Sequence, residues 1–239
     1  MNIESQYKGF GEIPHLEYPK DYKPLLTTFP GKMLKSVKEY GLPIESGAIR
    51  LEKLNQDEQL VYQFFIWHFF TNESIDNMNL VLSDIDQLGK HYMLFRGSPK
   101  VRFFLLIKTF FNEIYRIRDM LNRFFSWLYK LGEIEKKELK NIRKDVSEVF
   151  DKSVEIRNLL IHSHPIWRGR EHFDMNLVLG AAETGHALVN KETGELWDIQ
   201  EVLGTNTKLY FEHMKKEGVF IRSFIQDLSD TISQICRLS

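Results

Sequence analysis

Beyond residue 50, apolar residues recur at helical spacing over most of the chain. "NQDEQLVYQFFIWHFF" opens with Asn55 and Glu58 in a capping-box arrangement and then turns densely aromatic. Ile75, Met78, Leu82 and Ile85 mark one face of a second helical stretch, with residues 71–74 either breaking or kinking the path between them. Ser98-Pro99 is the sharpest helix start. Ser98 can accept an orphan backbone hydrogen bond, and Pro99 fits the first helical position. Leu106, Phe110, Ile117, Phe124 and Leu128 follow at three- and four-residue steps or their multiples, up to Gly132, which suits a left-handed cap.

A further helix is predicted over about 134–161, with Ile142, Val146, Val149, Ile156 and Leu160 facing inward. So little chain separates these two long helices that they should be antiparallel partners. Pro165 disfavours helical geometry at His164 and ends the helix near 162–164.

The pattern then changes. "FDMNLVLG", "HALVN" and "ELWDI" are short, partly alternating segments, and "NKETGE" reads as a hairpin turn. A small β-rich insertion is therefore expected over about 166–204. From about 207 the helical period returns through Tyr210, Met214, Ile221, Ile225, Leu228, Ile232 and Ile235, interrupted near Gly218. The expected fold is mainly α: an antiparallel helical bundle with a small β-rich insertion before the last helix. Residues 1–50, broken by five prolines, form an irregular arm with one short helix at "GKMLKSVKEYG" that lies on the main domain, 51–239.

Composition narrows the setting. A single cysteine, Cys236, excludes an internal disulfide framework and a cysteine-rich metal site. The start lacks a secretory pattern, and no apolar run approaches the ~20 residues of a membrane span, so a cytoplasmic protein with no membrane contact is expected. Net charge is -1, which argues against broad attraction to nucleic acid. Its distribution is uneven: residues 96–130 carry eight Lys or Arg against Glu113 and Asp119. A localised positive face follows if those cations are not simply solvated.

Two ionisable residues stand on inward-facing stripes. Arg157 lies one turn beyond Ser153 and extends the stripe of Val149 and Ile156, while Glu113 sits among Leu106, Phe110, Ile117 and Phe124. Unpaired burial of either costs several kcal/mol, so each needs a partner or a wet cleft; a Glu113–Arg157 bridge is the structural explanation. Asn158 and His162 are one turn apart and can interact directly. Arg157 and His162 are five apart, about 140° around a regular helix, and share a face only if the helix unwinds between them.

"RNLLIH" resembles the R-x4-6-H motif of the HEPN superfamily, with Asn158 as the polar residue that commonly follows its arginine. The resemblance covers roughly 98–162 plus the final helix. It implies an antiparallel helical bundle, a homodimer with two motifs facing each other, and metal-independent RNA cleavage without a cofactor. By that resemblance Arg157 would hold the scissile phosphate, His162 would transfer protons, Asn158 would orient the site, and Glu113 would correspond loosely to an acidic residue on the neighbouring helix. The products would be 2′,3′-cyclic phosphate and 5′-hydroxyl ends. Arg116, His164, Arg168 and Arg170 are the expected substrate contacts, and a protein partner such as an antitoxin fits the same resemblance. Noncatalytic members are common, so an interaction or RNA-associated protein is the alternative.

A histidine-based metal site is a third reading. His162, His164 and His172 with Asp174 could reach zinc, but the spacing matches no standard site. Arg168 and Arg170 beside Trp167 could equally be solvated turn residues. The phenylalanine-rich helix is expected to be central or in a dimer interface.

Overall fold

Four long helices carry almost all of the described chain in the computed structural model, which describes residues 12–18, 55–92, 99–162, 177–178, 187–190 and 196–235. They are α1 (Gln56–His91), α2 (Pro99–Leu131), α3 (Lys136–His162) and α4 (Ile199–Ile235). α1 runs unbroken through 71–74. The Thr71 hydroxyl donates to the Trp67 carbonyl at 2.8 Å and is absorbed within the helix, and Ser74 is buried in the core.

The turn between α2 and α3 follows from three local contacts. Gly132 takes a φ of 80°, its amide donates to the Tyr129 carbonyl, and the Glu133 amide donates to that of Leu128, each at 3.1 Å. That is a Schellman end, open to glycine because no Cβ opposes the left-handed backbone. Glu138 then reaches back to accept from the Glu135 amide at 2.7 Å, capping the first turn of α3.

The chain divides into two units. The first comprises Met1–Pro14, Ser74–Arg116 and Phe150–Phe220. Its core is built from Ile75, Met78, Leu82 and Ile85 of α1, Phe103 and Phe110 of α2, Phe150 of α3 and Met214 of α4. A Cβ on Gly89 would overlap Thr207, so the glycine permits close contact of α1 and α4. Gly218 does the same for Ile13, which is fully buried; the gap expected in the α4 stripe is where Ile13 packs.

The second unit comprises His15–Glu73, Ile117–Val149 and Ile221–Ser239. Here the aromatic run is central, with Phe64, Trp67 and His68 all buried. Gln56 donates to Glu133 at 2.6 Å, and Trp67 stacks on Phe124 with centroids 5.5 Å apart, which sets α1 and α2 antiparallel. Arg143 donates to the Ser126 hydroxyl at 2.8 Å and ties in α3. Ile221, Ile225 and Ile232 of α4 complete the core. Among the described residues no helix is long and apolar enough to cross a membrane.

The expected β-rich insertion over 166–204 is corrected. Among the described residues, strand covers β1 (Leu177–Val178), β2 (Ala187–Asn190) and β3 (Leu196–Asp198), paired antiparallel in that order with Val178 opposite Val189 and Leu188 opposite Trp197. Residues 199–204 are helical, because α4 begins at Ile199, well before the expected 207. Asp198 stands just before the first helical residue, a favoured starting position. Gly204 lies inside the helix, where it costs only ~1 kcal/mol relative to alanine. The short helix expected at "GKMLKSVKEYG" lies outside the described residues.

Candidate active site

Arg157 emerges one helical turn after Ser153, whose buried hydroxyl donates to Glu217 at 2.5 Å in the first unit. That pair anchors α3 to α4, and the next turn brings Arg157, half-buried, against α2. Its Nε donates to Asn112 Oδ1 at 3.2 Å and its Nη1 to Asn158 Oδ1 at 3.0 Å. The guanidinium carbon sits 4.4 Å from the centre of the Tyr115 ring. All three partners are neutral, so they fix the orientation of the group and leave its positive charge in place. Guanidinium has five donors, and among the described residues the two asparagines engage two of them.

Glu113 does not make the bridge to Arg157 considered above. Its carboxylate lies 3.5 Å from Arg116 of its own helix, and its Oε2 is buried with no hydrogen-bond partner. Three-residue spacing on α2 makes Arg116 the nearer cation and leaves Arg157 to Asn112 and Tyr115. Arg116 is thus next to the acid and close in sequence to the guanidinium site.

His162 is the last residue of α3, and the helix is continuous from Arg157 to it. Positions 157 and 162 therefore stay about 140° apart on one chain. The His162 side chain, like His164, Arg168, Arg170, His172 and Asp174, lies outside the described residues. Among the described residues no group of three or more His, Cys, Asp or Glu is placed to hold a metal ion.

Asn112 and Tyr115 were not singled out by sequence reasoning. A signal was present, since 112, 115 and 116 recur at helical spacing and place an amide, a ring and a cation together. Nothing in the sequence said which of them would face α3.

A second polar cluster lies in the second unit around His68, which is fully buried. Its Nε2 lies 3.4 Å from the Glu17 carbonyl oxygen, which can only accept, so the tautomer is assigned with the proton there. Nδ1 then accepts from Asn72 Nδ2 at 3.3 Å, and the Tyr18 ring stacks at 3.7 Å. Burial pulls the His68 pKa down to about 4, against the opposing hydrogen bond to Glu17 and with a smaller push from His15.

The fold and these sites define an α-helical bundle protein with an oriented guanidinium that, among the described residues, is held by Asn112, Asn158 and Tyr115. Comparison with protein-family models, curated proteins and solved structures finds no significant match to this chain.

Proposed function

We propose that the chain is a metal-independent endoribonuclease of HEPN type, working in the cytoplasm as a homodimer. The observation that carries this reading is the setting of Arg157, fixed by Asn112, Asn158 and Tyr115 with its charge intact. A guanidinium oriented in advance can donate paired bonds to phosphate oxygens as negative charge develops on them, without reorganising during the reaction.

In the proposed step the ribose 2′-oxygen attacks the adjacent phosphorus and the bond to the 5′-oxygen breaks. One His162 imidazole takes the 2′-hydroxyl proton and an imidazolium returns a proton to the departing 5′-oxygen. The chain is left with a 2′,3′-cyclic phosphate and a 5′-hydroxyl. A dimer supplies two His162 groups to divide these roles, which suits a helix phase that separates positions 157 and 162 on one chain. Arg116, Arg168 and Arg170 extend the phosphate contacts, and an antitoxin-like protein would act by covering this face.

A direct test compares an RNA oligonucleotide with the same sequence carrying one 2′-deoxy linkage. The reading expects cleavage everywhere except at the deoxy position. Cleavage there as well would rule out 2′-hydroxyl attack.

A second reading, a noncatalytic RNA-associated protein, is favoured by the same unbroken helix from Arg157 to His162. It expects RNA to be retained uncut, with Arg157→Ala weakening retention and shallowing its salt dependence by about one phosphate contact.

A further inference from the structure

Residues 15–17 obtain their backbone hydrogen bonds from side chains. In the second unit Asn72 reads both polar groups of Leu16, accepting from its amide at 2.7 Å and donating to its carbonyl at 3.4 Å. Gln226 reads Glu17 in the same way, at 2.8 Å and 3.3 Å. Arg222 donates to the His15 carbonyl at 2.6 Å, and His68 lies 3.4 Å from that of Glu17. A helix satisfies its backbone internally and a strand uses a neighbouring strand. Amide side chains placed to read N–H and C=O together recognise an extended peptide whatever side chains it carries.

Selectivity comes from the residues that point inward. Leu16 is only 3% exposed, and the Tyr18 ring stacks on His68, while the side chains of His15 and Glu17 are exposed. The recognised pattern is therefore a leucine two residues before an aromatic ring. The bonds from Gln226 and Arg222 are exposed to water while those to Asn72 are part-buried, so the Gln226 and Arg222 side is where local opening would begin.

We propose that Asn72, Gln226, Arg222 and His68 form a peptide-binding site for an extended segment of another protein that carries a leucine two residues before an aromatic residue. Residues 15–18 occupy it as a tethered ligand. A tethered ligand acts at a high effective concentration, so a peptide in trans enters only when the tethered copy is weakened or outcompeted.

The test uses the full chain and a fluorescent peptide of residues 12–18, Glu-Ile-Pro-His-Leu-Glu-Tyr, followed by anisotropy. Leu16→Asp with Tyr18→Ala weakens the tethered copy and leaves the receptor intact, so this variant should bind the peptide at least ten-fold more tightly than the unaltered chain. Adding Asn72→Ala and Gln226→Ala should abolish that gain. Equal binding by the folded variant and the unaltered chain would overturn the proposal. Hydrogen exchange on the unaltered chain gives an arm independent of variant folding. The Leu16 and Glu17 amides should exchange well ahead of the core of α1; exchange only together with that core would equally overturn the proposal.

Discussion

Arg157 and His68 show how opposite environments set the charge of two polar residues. Asn112, Asn158 and Tyr115 orient Arg157 without neutralising it. His68 has both ring nitrogens engaged only when neutral, because a second ring proton would face the Asn72 amide group. Its pKa of about 4 in the fold lies below the ordinary histidine value of 6.5. Between those limits the unfolded chain binds a proton that the folded chain refuses, so stability is full above pH 6.5 and falls as pH falls toward 4. The loss from this group should reach about 3 kcal/mol. Urea unfolding of the chain and of His68→Leu at pH 7 and pH 4.5 checks this. The unaltered chain should lose more stability than the variant on acidification; equal losses would show that His68 is not the linked group.

At the scale of elements, the helices were legible where periodicity acted alone. Leu106, Phe110, Ile117, Phe124 and Leu128 are all buried as their spacing predicts. The α2–α3 turn was legible too, because Gly132 meets a backbone requirement that few residues meet. Gly132→Ala should cost about 1 kcal/mol from left-handed strain alone. Nothing lies within 4 Å of the added Cβ, so no steric clash adds to it. An unfolding free energy from urea titration lowered by that amount supports the Schellman end, and an unchanged value would refute it. Sequence reasoning failed where a polar or small residue serves a distant partner. Thr71 to Ser74 resembled a break because Asn72 is used to hold Leu16, and Gly218 resembled an interruption because Ile13 fills its place. The start of α4 was placed too late, at about 207, because "ELWDI" was read as a strand segment running into the insertion, whereas the helix begins at Ile199.

Across the whole molecule, the helical bundle was foreseeable from stripes that have no other way to leave water, while the β-rich insertion was carried too far, since residues 199–204 belong to α4. The candidate site was legible only in part. Arg157 and Asn158 stood out by sequence, whereas Asn112 and Tyr115 required the pairing of α2 with α3. The central claim is that Arg157 grips a phosphate in a metal-free RNA cleavage that depends on His162. The decisive measurement incubates the chain, Arg157→Ala and His162→Ala with end-labelled RNA in excess chelator, with folding of each checked by circular dichroism, and identifies the product ends. The account predicts 2′,3′-cyclic phosphate and 5′-hydroxyl ends from the unaltered chain, and a loss of at least a hundred-fold in each folded variant. Equal cleavage by all three chains, or intact RNA with the unaltered chain, would contradict it.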